Sequence, residues 1–336
     1  MIAQLDKDYI KTRPTKTISR LISYGIFEGR PLTTSGRWIN KIVFANLWLL
    51  KKLPQIKKVK QPIFIVGTGR SGTTILGLLL SIHPKLGYLN EPKAMWNSIF
   101  PMEDIIGSYA SKPGNYRLSE KDATVETIKN AHKIFAGYLS SICTSRVVDK
   151  YPELIFRIPF VKKIFPDAKF IFLQRNPWDT CNSIDSWSKR KGVTEKGDVE
   201  DWWGVNDQKW KIMVSELIAE DPLLSADKLE ISNFTDHKSR ALVEWYLVMQ
   251  EGLKMLKLYK DDILSVKYED LVDNSDVQLQ RIINFCNLHS DFKTLDYAKK
   301  IISPAQPTKE FSVPKSLRSP LLEIMKELGY LKIGTP

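Results

Sequence analysis

Ile63-Phe64-Ile65-Val66-Gly67-Thr68-Gly69-Arg70-Ser71-Gly72-Thr73-Thr74 is the stretch on which the fold turns. Its four apolar residues read as a buried strand, the glycines and hydroxyl residues after them as a turn, and Ile75 to Leu80 as the helix that follows. Strand, glycine loop and helix together cradle an anion. Backbone N–H groups and the positive end of the helix dipole converge on one point, the glycines let the anion approach the backbone, and the hydroxyls add donors. Gly67 and Gly72 have the spacing of the GxxxxGK[ST] nucleotide loop, but Thr73 stands where that loop has its lysine. A P-loop kinase-like phosphotransferase needs that lysine and a magnesium site for its highly charged phosphate, so the change argues against one. Arg70, inside the loop, can supply the cation.

Outward from the loop the pattern repeats. Arg146 to Val148 precedes a helical pattern near 154–165, and Lys169 to Leu173 precedes a helix opened by Pro177. A helix at about 239–259 leads into Ile263 to Val266 and a further helix near 277–288. This alternation predicts an α/β fold with a parallel central sheet flanked by helices. Within Lys169 to Ser186, KFIFLQRNPWDTCNSIDS, Arg175 falls at a strand's carboxyl end and Ser183 two turns into the next helix. Ligands of open parallel sheets bind outside those ends, and an arginine fork with a hydroxyl suits a second phosphate. The polar segment Gly192 to Gly204, with Trp202 and Trp203, reads as a loop over a cleft, and Ser303 to Arg318 as irregular chain.

The 336 residues carry a net charge of +12 and are 43% apolar, enough for a large core and too ordered in pattern for a disordered chain. Between Glu28 and Glu91 no acidic residue occurs, while Arg30, Arg37, Lys41, Lys51, Lys52, Lys57, Lys58, Lys60, Arg70 and Lys85 do. An anionic partner is implied. Residues 1–60 read as a basic N-terminal helical arm, with Trp38, Phe44, Leu47 and Trp48 as candidates for docking on the main domain, residues 61–336. For residues 37–60 three readings stay open: a solvated helix, a nucleic-acid patch, or a face in peripheral contact with anionic lipid. No apolar run approaches the roughly 20 residues of a membrane span and the N-terminus shows no signal-like apolar stretch, so the cytoplasm is the expected compartment. Three scattered cysteines and four scattered histidines suggest neither a disulfide framework nor a zinc site.

The loop GTGRSGTT, the block RNPWDTCNS and the later VKYEDL (Val266 to Leu271), in this order, resemble the sulfotransferases that use 3′-phosphoadenosine 5′-phosphosulfate. The resemblance implies a P-loop-like three-layer sandwich and a nucleotide sulfate donor held without metal. The 5′-phosphosulfate would lie on Gly69, Arg70, Ser71, Gly72, Thr73 and Thr74, and the 3′-phosphate on Arg175 and Ser183. Its acceptor would be a hydroxyl or amine of a sugar, lipid, peptide or small molecule, and no nucleic-acid partner is expected. In the tyrosylprotein-type members a carboxylate base follows the loop arginine by about twenty residues, which points to Glu91. His83, in an HP pair after the first helix, resembles the residue that closes that helix. Lys150, before Tyr151-Pro152, resembles the lysine that contacts the transferring group. Against this stand the kinase-like reading and a non-catalytic anionic-surface binding protein with a degenerate loop.

Overall fold

All four stretches read as strands pair in one parallel sheet. The structure, a computed structural model, describes residues 2–31, 33–110, 112–195, 197–303 and 309–331. Its strands are β1 (Ile63–Gly67), β2 (Leu86–Asn90), β3 (Arg146–Lys150), β4 (Lys169–Gln174), β5 (Val193–Glu195), β6 (Asp198–Asp201), β7 (Gly204–Val205) and β8 (Ile263–Lys267). The helices are α1 (Lys7–Thr12), α2 (Pro14–Ile26), α3 (Asn40–Lys52), α4 (Thr73–Ser81), α5 (Lys93–Ile99), α6 (Val125–Ser141), α7 (Ile158–Ile164) and α8 (Pro177–Lys191). They continue as α9 (Gln208–Ile212), α10 (Lys228–Ser232), α11 (His237–Leu258), α12 (Tyr268–Asp273), α13 (Ser275–Phe285), α14 (Phe292–Ile301) and α15 (Lys315–Glu327).

The main sheet has the order β2-β3-β1-β4-β8, every neighbouring pair parallel. Successive strand residues point to opposite faces, so each strand feeds two cores. Phe64 and Val66 of β1 and Phe170 and Phe172 of β4 pack on one side; Ile63, Ile65, Ile171 and Leu173 pack on the other. Helices including α5, α6, α7 and α11 cover the first face, and α4, α13 and α14 the second. The result is a three-layer sandwich, and the central strand β1 is buried along its whole length, as in a sheet covered on both faces. From β1 the chain crosses toward β2 at one edge and later returns to β4 on the other side, which puts the carboxyl ends of β1, β3 and β4 at the centre.

Two segments depart from expectation. Residues 192–204 are not a plain loop: β5, β6 and β7 form a small antiparallel sheet. Short strands with exposed, charged residues carry too little alternation to be read as such. The chain expected to be irregular through Arg318 is already helical from Lys315, with Leu317, Leu321 and Ile324 buried at helical spacing; residues 304–308 of that stretch lie outside the described ones. Leu47 is buried and Phe44 partly so, but Trp38 and Trp48 are exposed rather than docked. Among the described residues no helix is long and apolar enough to cross a membrane.

Candidate active site

The five parallel strands deliver their last residues to one edge of the sandwich. After β1 comes the glycine loop, after β2 Glu91, at the end of β3 Lys150, after β4 Arg175, and after β8 Tyr268. The loop needs its glycines. Gly72 has φ +93, and a Cβ there would sit 2.2 Å from the Tyr268 ring; a Cβ on Gly69 would sit 2.5 Å from Trp202. Trp202, on the segment between β6 and β7, thus does lie over the loop. Ser71 Oγ donates to the Thr68 carbonyl at 2.5 Å, which tightens the turn, and Thr73 opens α4.

Arg70 takes a left-handed backbone, φ +69. Its Nε donates to Ser183 Oγ at 3.1 Å, and Arg175 Nη1 donates to the Arg70 carbonyl oxygen at 3.1 Å. The residues assigned to two separate phosphates therefore meet. Arg175 stacks on Tyr268 with its guanidinium carbon 4.5 Å from the ring centre, and its buried Nε has no hydrogen-bond partner among the described residues. Burial weakens the Arg70 charge, and nearby Arg190 and Arg175 weaken it further while Glu91 supports it. Guanidinium groups gathered against their mutual repulsion suit an anion. Asn176 caps α8 by accepting from the Trp178 N–H at 2.9 Å, and its own N–H donates to Glu269 Oε1 at 2.8 Å. The YED stretch thus fixes the packing of loop and helix.

Glu91 also has a left-handed backbone, φ +49, and its N–H donates to the Lys150 carbonyl at 2.7 Å. Its carboxylate accepts a hydrogen bond from Lys150 Nζ. Lys150 is buried, whereas 39% of the Glu91 side chain is open to solvent. Burial raises the Glu91 pKa, but Lys150 and Lys93 outweigh it and hold the carboxyl below its ordinary value. The pair is part of a longer chain of charges that the sequence did not reveal. Lys93 Nζ lies 4.0 Å from Glu91 and 3.3 Å from Glu153; Lys209 lies 3.7 Å from Glu153 and 2.6 Å from Glu244. Glu153 is opposed by burial yet pulled down to about 2 by Lys93 and Lys209. Nothing in local sequence links residues so far apart.

Beside Glu91 and Gly69 opens a cavity of about 330 Å³. Tyr24, Glu28, Arg30 and Thr34 of the N-terminal segment line it, as do Trp187 and Trp202, whose rings meet edge to face at 5.4 Å. Trp96, Trp203 and Trp210 are buried in the core and take no part. His83 follows the end of α4 opposite the glycine loop: buried there, it bonds through Nε2 to the His289 carbonyl at 3.0 Å, and burial lowers its pKa. Lys309 of the C-terminal segment is placed against α8, where Asn182 donates to its carbonyl at 3.1 Å. No group of three or more His, Cys, Asp or Glu that could hold a metal ion occurs among the described residues.

The sulfotransferase family profile matches residues 62–291. An uncharacterized protein of Aquifex aeolicus is 22% identical over 82% of this chain and 34% of its own length. Protein-tyrosine sulfotransferase A of Caenorhabditis elegans is 25% identical over 71% of this chain and 53% of its own. The chain thus spans about a third to a half of the length of these curated relatives. Among solved structures, sulfotransferase STF1 from Mycobacterium tuberculosis superposes over 97% of this chain and 94% of that one, with 15% identity and a TM-score of 0.46.

Proposed function

This chain belongs to the sulfotransferase family, and from that premise we propose that it moves a sulfuryl group from 3′-phosphoadenosine 5′-phosphosulfate to an acceptor hydroxyl or amine, with Glu91 as general base and no metal. The observation that carries the reading is the meeting of Arg70, Ser183 and Arg175 at the loop, with Glu91 and Lys150 at the neighbouring strand ends. Gly69 to Thr74 bind the 5′-phosphosulfate, and Arg175 with Ser183 the 3′-phosphate. The acceptor enters the cavity beside Glu91. Its oxygen or nitrogen attacks sulfur, the bond from sulfur to the bridging oxygen breaks, and the proton passes to a Glu91 oxygen. Lys150 and Arg70 stabilise the charge that collects on the bridging oxygen. The protein forms no covalent intermediate, so positioning and electrostatics supply the rate.

Two phosphate sites have a direct test in the product nucleotide. Adenosine 3′,5′-bisphosphate is expected to raise the melting temperature in excess chelator, and adenosine 5′-monophosphate to do so much less. Charge-assisted hydrogen bonds contribute about 1.5–3 kcal/mol, so loss of the 3′-phosphate should weaken binding roughly tenfold or more. Equal shifts for the two nucleotides would remove the second site.

A further inference from the structure

Helix α3 turns an apolar face to solvent. Trp38, in the turn leading into it, is 71% exposed and Trp48 59%; Ile42, Leu49, Leu53 and Ile56 are exposed as well. At 3.6 residues per turn Trp38, Ile42, Trp48 and Leu49 fall in one arc together with Lys41 and Lys52, opposite the buried Val43 and Leu47. Lys52 Nζ sits 5.9 Å from the centre of the Trp48 ring. A merely solvated helix has its charge outside and its aliphatic residues inside; here large apolar groups share the outer face with lysines. Contiguous exposed apolar surface of this kind marks an interaction site.

Charge identifies the partner. The whole run 29–90 is free of acidic residues, and Lys41, Lys52, Lys58 and Lys60 form no ion pair among the described residues. Nucleic acid would use the lysines but leave Ile42, Leu49 and Ile56 in water. A second copy of the chain, meeting this one about a twofold axis, would set lysine against lysine. An anionic lipid surface satisfies both parts at once, since tryptophan favours the headgroup level and basic side chains meet the lipid phosphates. We propose that residues 37–60 seat this chain on an anionic membrane, with α3 lying in the headgroup plane and Trp38 and Trp48 inserted. The cavity rim then lies near the lipid: Thr34 lines the cavity, and Trp38 follows within about 14 Å of chain.

The test is flotation of the full chain with vesicles of phosphatidylcholine alone and with added phosphatidylglycerol, with no sulfate donor present. Flotation with the anionic vesicles and a blue shift of tryptophan emission are expected. Trp38→Ser with Trp48→Ser should weaken partition roughly tenfold or more at an unchanged melting temperature, because both rings leave water on binding. Each lysine near an anionic leaflet contributes about a factor of five, so Lys41→Gln with Lys52→Gln should weaken it roughly 25-fold. Absence of flotation at low salt would overturn the proposal. So would binding that follows the lysines but ignores the tryptophans, or a dimer in solution that the tryptophan variant splits.

Discussion

Glu91 is held in an uncommon backbone conformation, φ +49, by hydrogen bonds on both sides: its N–H donates to the Lys150 carbonyl, and its own carbonyl accepts from the Lys93 N–H at 2.7 Å. Such a conformation in a non-glycine residue costs on the order of 1–3 kcal/mol and persists only where the surroundings enforce it. The enforced turn points the carboxylate at Lys150 and the cavity. Glu91→Gln keeps the shape and removes the proton acceptor, so turnover is expected to fall by about 10² to 10⁴. The melting shift with adenosine 3′,5′-bisphosphate should stay as in the parent. His83→Gln should instead lose stability and keep its chemistry, since the ring is buried on the His289 carbonyl. An active Glu91→Gln beside a dead His83→Gln would transfer the base to the histidine. Glu91, Lys150 and Arg70 stand out in the sequence because each follows a readable strand or ends an acid-free run. Lys93, Glu153 and Lys209 do not, because their pairing exists only once α5, the turn after β3 and α9 have folded together.

The elements were readable where apolar periodicity is strong. Strands β1, β3, β4 and β8 and helices α4, α8, α11 and α13 fall where alternation places them, whereas β2, LGYLN, is interrupted by Gly87 and follows its helix after a short turn. β2 nonetheless matters, because it delivers Glu91. The contact between loop and α12 was also hidden, since Gly72 and Tyr268 are nearly two hundred residues apart. Their packing makes a prediction at this scale. Gly72→Ala combines a disfavoured φ with a Cβ against the Tyr268 ring, so it should cost about 1–3 kcal/mol or force the ring aside. Tyr268 supports Arg175, so nucleotide affinity should fall along with the denaturation midpoint. A variant as stable as the parent, with unchanged affinity for adenosine 3′,5′-bisphosphate, would show that the loop is not packed this way.

At the scale of the molecule, buried carboxyl groups set the response to pH. Asp149, on β3, is fully buried, with Oδ2 accepting from Trp96 Nε1 at 2.8 Å and Oδ1 without a hydrogen-bond partner among the described residues. Burial pushes its pKa up to about 8, against the Trp96 hydrogen bond and Lys150. Glu103 is raised to about 7, again chiefly by burial and despite Arg157. Both groups bind a proton more tightly folded than unfolded, where a carboxyl titrates near about 4. Their stabilising effect is therefore complete below about pH 4 and is lost as pH rises toward 7 or 8. Glu153 acts with the opposite sign: held at about 2, it stabilises above pH 4 and loses that effect only on strong acidification. Stability should consequently peak on the acid side of neutrality and decline through pH 8, by at most about 1.4 kcal/mol per pH unit for each raised group. Asp149→Asn retains an oxygen for Trp96 and cannot ionise, so its denaturation midpoint should fall less steeply between pH 5 and pH 8, overtaking the parent at the alkaline end. Parallel curves for the two proteins across that interval would mean that Asp149 is not buried as a neutral acid.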